Sequence, residues 1–125
     1  MKTLTTLLLL LVSVSVFARK PLYTGEVHIR EKMTLTDVSR AIKKSLAGRG
    51  WTLLDSDTNE ITARLYLRSH MAEIRFEFDL AKITIHYVDS KNLSYREKKG
   101  RKKIHRNYNN WITNLEKDIK IHLIQ

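Results

Sequence analysis

Between Ile61 and Tyr87 the chain alternates apolar and polar residues and reverses parity twice, a pattern that few folds can accommodate. In Ile61-Thr62-Ala63-Arg64-Leu65-Tyr66-Leu67 the odd positions are apolar. From Ala72 to Phe78 the even ones are, with Glu73, Arg75 and Glu77 between them; Ile83, Ile85 and Tyr87 are odd again. Successive side chains on a strand point to opposite faces, so each reversal must coincide with a turn. A two-residue turn at Ser69-His70 would pair Leu67 with Ala72, Leu65 with Ile74, Ala63 with Phe76 and Ile61 with Phe78. A second turn over Asp79 to Lys82 pairs Phe78 with Ile83, Phe76 with Ile85 and Ile74 with Tyr87. Every apolar side chain then shares one face of an antiparallel meander, and a one-residue slip would send them all into water.

Something must cover that face. Thr34 and Asp37 have capping-box spacing, Met33 and Val38 stand where a hydrophobic staple would, and Val38, Ala41, Ile42 and Leu46 recur at helical period. Gly48-Arg49-Gly50 ends this helix. Ile104, Tyr108, Trp111, Ile112, Leu115, Ile119 and Leu123 form a second apolar stripe. Tyr23, Val27 and Ile29 predict a strand before the first helix, with its place in the sheet left open. Trp51 to Leu54 predicts one after it, followed by a polar turn from Asp55 to Asn59. The expected fold class is therefore α+β. It is a two-layer sandwich in which an antiparallel sheet of four or five strands is covered on one face by two helices, in the order β-α-β-β-β-β-α.

The N-terminus has the character of an export signal. Lys2 precedes an apolar run from Leu4 to Phe17, and Val16-Phe17-Ala18 suits a signal peptidase. The run stops at Arg19-Lys20, short of the ~20 residues a membrane-spanning helix needs. The expectation is a signal peptide over 1–18, cleavage near Ala18, and one α+β domain over 19–125 in the periplasm or secreted, with no transmembrane segment. The chain has no cysteine, which excludes thiol nucleophiles, thiolate zinc sites and disulfides.

Lysine and arginine number 23 against 13 acidic residues, a net charge of +10, of which the leader holds only Lys2. Such an excess favours anionic partners. The densest run is Arg96, Lys98, Lys99, Arg101, Lys102, Lys103 and Arg106, with Glu97 the one acid inside it. These seven are the candidate anion-binding residues, read as a loop ahead of the last helix. Several cations together can displace counterions from a phosphate-rich surface. Lys102 and Lys103 would then oppose the helix macrodipole, a hint that they serve something besides helix stability.

Other constellations carry less. His28, His70, His86, His105 and His122 include no metal-ligand spacing, so neither a metal nor a cofactor is expected. Catalytic motifs such as GxSxG, HExxH or a Gly-rich phosphate loop are missing, and the expectation is a protein that is not an enzyme. Glu73 and Glu77 could stand side by side as a carboxylate pair, but arginines on the same face make cross-strand ion pairs the simpler reading. On that polar face Arg64, Tyr66, Arg68, Arg75 and His86 form a second candidate surface for a glycan or a partner strand. Asn107, Asn109, Asn110 and Asn114 are unusual within a helix, and some of them are expected to tie the preceding loop, including Asp89, Ser90 and Asn92, to it, with His105 and Asn109 one turn apart.

Four segments carry a resemblance: Leu46-Ala47-Gly48-Arg49-Gly50-Trp51, the Ile61/Ala63 strand, Tyr87-Val88-Asp89-Ser90-Lys91-Asn92-Leu93-Ser94-Tyr95, and Ile104-His105-Arg106-Asn107-Tyr108-Asn109-Asn110-Trp111-Ile112. They resemble a family of small uncharacterised exported proteins and lipoproteins of Gram-negative bacteria. The resemblance implies a cell-envelope setting and a small α+β fold, and carries no activity. The functional expectation is a non-catalytic envelope protein whose basic loop binds lipopolysaccharide, phospholipid headgroups or an acidic glycan; nucleic acid is not expected. The alternative is a protein–protein interaction module, an inhibitor or assembly factor, using the exposed sheet face or a sheet edge.

Overall fold

The structure is a computed structural model and describes residues 19–125. The expected leader, 1–18, lies outside the described residues. In chain order the elements are β1 (Arg19–Pro21), β2 (Gly25–His28), α1 (Leu35–Gly48), β3 (Thr52–Ser56), β4 (Glu60–Leu67), β5 (His70–Phe78), β6 (Lys82–Lys91), β7 (Arg96–Lys98), β8 (Arg101–His105) and α2 (Arg106–Leu123). The fold is an α+β sandwich. Its main sheet is antiparallel, with the order β2-β6-β5-β4-β3. The strand whose place the sequence left open is thus an edge, and α1 carries the chain from that edge to the opposite one.

The meander forms with its apolar residues on one face. Phe78 pairs with Ile83, Phe76 with Ile85 and Ile74 with Tyr87, the expected register. Between β4 and β5 the register is two residues away from expectation: Leu67 faces His70, Leu65 faces Ala72 and Ile61 faces Phe76. The turn is Arg68-Ser69, with Arg68 at φ 55. A slip of two preserves parity, so hydrophobic patterning cannot distinguish the two pairings. β3 runs on to Ser56 through an irregularity between Leu53 and Asp55, shortening the expected polar turn.

Helix α1 begins as its spacing requires. The Asp37 N–H donates to Thr34 Oγ1 at 3.1 Å, and the Thr34 N–H donates to Asp37 Oδ2 at 2.9 Å. These bonds, the backbone one foremost, hold the Asp37 carboxyl below its ordinary pKa. The helix closes on Gly50 at φ +77, and the Trp51 N–H returns to the Leu46 carbonyl at 3.0 Å. Helix α2 starts two residues later than its apolar stripe implied. Ile104 belongs to β8, although it is fully buried there. Segments expected to be irregular form a second sheet, with the order β1-β8-β7.

Both helices and the inner face of the main sheet share one core, built around Ile42, Ile61, Ile74, Phe76, Tyr108 and Ile112. α2 lies directly on β2, where Gly25 leaves room for it. A Cβ at Gly25 would stand 2.6 Å from Ile112 Cγ2 and 3.0 Å from Ile85 Cδ1. Gly25→Ala is therefore expected to destabilise by about 1–3 kcal/mol, the usual cost of overfilling a packed core, as measured by urea unfolding.

Polar side chains of α2 fasten the N-terminal strands. Asn109 Nδ2 donates to the Pro21 carbonyl at 3.0 Å and its Oδ1 accepts from the Tyr23 N–H at 3.1 Å. The Asn109 tie thus runs to residues 21–23 rather than to His105 or to the loop of Asp89, Ser90 and Asn92. Buried Glu116 accepts from the Tyr23 hydroxyl at 2.9 Å and from the Glu26 N–H at 3.1 Å. The bond to Glu116, followed by burial, lifts the Tyr23 phenol from 10.0 to about 12. Because the folded value is the higher one, this stabilisation is complete below pH 10.0 and disappears as pH rises toward 12. A difference titration of phenolate absorbance against Tyr23→Phe is expected to place Tyr23 well above an ordinary tyrosine, and Glu116→Gln should bring it back down.

Candidate anion-binding site

The basic segment is a β-hairpin. Arg96 pairs with Lys103, Glu97 with Lys102 and Lys98 with Arg101. Lys99 and Gly100 make the turn, both left-handed at φ 52 and φ 75, as a two-residue hairpin of primed type requires. β1 flanks β8 on its other side, with Arg19 opposite His105, Lys20 opposite Ile104 and Pro21 opposite Lys103.

Directly opposed residues share a face, and alternate residues along a strand do too. Arg96, Lys98, Arg101 and Lys103 therefore occupy one face, joined by Arg19 from β1. Glu97 and Lys102 belong to the opposite face, the one on which Ile104 is buried. Period-two geometry thus separates the one acid of the hairpin from most of its cations. An open concavity of about 590 Å³ results, lined by Arg19, Arg96, Lys98, Lys99, Arg101 and Lys103, all exposed. Among the described residues, none of these six has a carboxylate within ion-pair distance.

Five of the seven residues singled out in the sequence meet in this concavity. Lys102 instead lines a separate cleft beside Tyr87 and Tyr95. Arg106 is the first residue of α2, away from the concavity lining. Lys102 and Lys103 lie on β8 ahead of the helix, and the cation within its first turn is Arg106. Arg19 was missed because its pairing partner is nearly the whole described chain away. The one local clue was Lys99-Gly100, a dipeptide able to turn a hairpin.

β8 is anchored where it passes into α2. The His105 N–H donates to the Leu93 carbonyl at 2.8 Å, and His105 Nδ1 accepts from the Asn107 N–H at 3.0 Å, capping the helix. Burial first, then the nearby His70 and Arg106, holds this imidazole below its ordinary 6.5, which favours the neutral form that can accept.

The outer face of the main sheet presents a different surface. Arg64 Nε donates to Glu73 Oε1 at 3.0 Å, its Nη2 bonds the same oxygen, and Nη1 donates to the Tyr66 hydroxyl at 2.9 Å. His86 Nε2 lies 3.1 Å from Glu77 Oε2. Arg75 stands between Thr62 and His86 in register. Arg68 is not on this face, for it occupies the β4–β5 turn. Glu73 is thus ion-paired across strands with Arg64, and Glu77 is in contact with the His86 ring. No cluster of three or more His, Asp or Glu side chains able to hold a metal occurs among the described residues, and no described helix is long and apolar enough to cross a membrane. No protein-family model matches the chain, and no curated protein matches it either.

Proposed function

We propose that this is a non-catalytic protein of the bacterial cell envelope, periplasmic or secreted after cleavage near Ala18, which binds phosphate-bearing lipid headgroups through the cationic face of β1-β8-β7. The observation that carries this reading is the sorting of charge by strand parity: Arg19, Arg96, Lys98, Arg101 and Lys103 on one face, Glu97 on the other. Opposed like charges weaken a ladder. Lys98 against Arg101 and Arg96 against Lys103 are such pairs, and an anionic surface would relieve them. The concavity is open and its cations sit on long stems, which suits a broad, multiply charged surface better than one small anion. Each Lys or Arg held near an anionic membrane contributes about 1 kcal/mol, and the effect fades within a Debye length.

The mature chain, residues 19–125, is expected to bind phosphatidylglycerol-containing vesicles at low salt, to release them as salt rises, and to ignore pure phosphatidylcholine. Replacing Lys98, Lys99, Arg101 and Lys103 by Gln should weaken binding at least ~100-fold, by that contribution per residue. Replacing Lys43, Lys44, Lys117 and Lys120 on the helices should change it little. Equal losses from both sets would mean that net charge acts alone, and the assignment to this face would fail.

A second reading, a protein-interaction module, is favoured by β3. This edge strand is exposed throughout and presents Leu53 and Leu54 to solvent. An unpaired edge is a template for strand addition. Binding to a protein partner that ignores salt and is lost in Leu54→Lys would support this reading over the first.

A further inference from the structure

On the opposite side of β8 from the cationic concavity lies an open cleft of about 550 Å³, within the ~300–1,000 Å³ usual for small-molecule sites. Tyr87 and Tyr95 form one wall, their rings stacked at 4.3 Å and 15°. The Tyr87 ring is itself held edge-on by buried Tyr108, and its hydroxyl lies 2.7 Å from Ser90 Oγ. The wall is therefore rigid, with half-buried Tyr95 as its outer member.

The loop around the cleft is held in a costly conformation. Asn92 and Ser94 both adopt left-handed backbone, at φ 57 and φ 53, although neither is glycine. Such residues persist only where their surroundings over-determine them, and they concentrate at ligand sites. Here the surroundings are explicit. Leu93 between them is buried and its carbonyl accepts from the His105 N–H. Asn92 Nδ2 donates to the Ser69 carbonyl at 2.8 Å, and His70 Nδ1 is 2.7 Å from the Asn92 carbonyl. Within this pinned frame, Tyr95, Ser94 and Lys102 line the cleft, and their side chains have no hydrogen bond to another described residue, while the Asp89 carboxylate, opposite Glu73, accepts from the Ser90 N–H at 2.8 Å. A stacked ring, two uncommitted hydroxyls and one cation are thus gathered in one place.

We infer that this cleft binds a sugar ring bearing an acidic group. The C–H face of a pyranose carries partial positive charge and is attracted to the negative face of an aromatic ring such as Tyr95. Sugar hydroxyls match the Ser94 and Tyr95 hydroxyls, each of which can donate and accept. Lys102 supplies a point charge for a carboxylate or phosphate on the same ring. The site stands apart from the lipid-binding face, since Lys102 lies on the opposite side of β8 from Lys103.

The test is an amide chemical-shift titration of residues 19–125 with glucuronate, glucose 1-phosphate, glucose and acetate. A monosaccharide in an open site is expected to bind with a roughly millimolar dissociation constant. Glucuronate, glucose 1-phosphate or both should shift residues 87–95 and Lys102, with glucose several-fold weaker at the same positions and acetate without effect there. Which acid binds better identifies the source as a uronate or a sugar phosphate. Tyr95→Ala, checked for an intact thermal transition, should abolish the shifts. Lys102→Gln, on an exposed strand position, should equalise acidic and neutral sugars, while the four-residue Gln variant of the cationic face should leave the titration unchanged. The inference is overturned if no sugar moves these signals at tens of millimolar, if acetate moves them as strongly as glucuronate, or if Tyr95→Ala binds undiminished.

Discussion

Ile112 resting against the bare Cα of Gly25 sets how closely α2 approaches the sheet, and much of the molecule takes its position from that contact. With α2 seated on β2, Glu116 reaches the Glu26 N–H at the sheet edge and the Tyr23 hydroxyl beside it. Asn109, two turns earlier, reaches the backbone on both sides of Leu22. The start of α2 then delivers β8 alongside β1. Arg49 closes the far end, its Nε donating to Asp118 Oδ2 at 2.7 Å and its Nη2 to Oδ1 at 3.1 Å, so the turn after α1 is fixed to α2 as well. One close backbone approach thereby organises both sheets.

The parts of this fold that sequence reasoning reaches are those governed by periodicity. Parity in β4, β5 and β6 specifies which face is buried, and Thr34 with Asp37 marks the start of α1. What periodicity cannot see is a shift of two residues, and the β4–β5 register differs in that way. The turn there is made by Arg68 in left-handed backbone, a residue with no reputation for it. The β7–β8 hairpin was hidden for another reason. Its mutually paired residues are Arg, Glu and Lys, poor in the β-branched and aromatic side chains that mark a strand, and β8 has its other neighbour in β1, more than eighty positions earlier. Charge density there was legible; the alternation that sorts it between two faces was not.

Both candidate sites descend from this one hairpin. Its outer face gathers cations, which also discourages β7, an exposed edge, from pairing with another sheet. Its inner face contributes Lys102 to the tyrosine cleft, next to the pinned loop that joins β6 to β7. The hairpin thus sets a broad cationic face and a small shaped cleft back to back on one strand.

The pairing of β1 with β8 has a kinetic consequence. Arg19, Lys20 and Pro21 find their strand partners among residues 103–105, so the second sheet cannot close until the chain is available as far as β8. Contacts so distant in sequence form late, because the connecting chain must be ordered first. In a chain emerging from its N-terminus, β1 therefore stays without a mate until β8 has followed, and the face that Arg19 shares with the hairpin is assembled late.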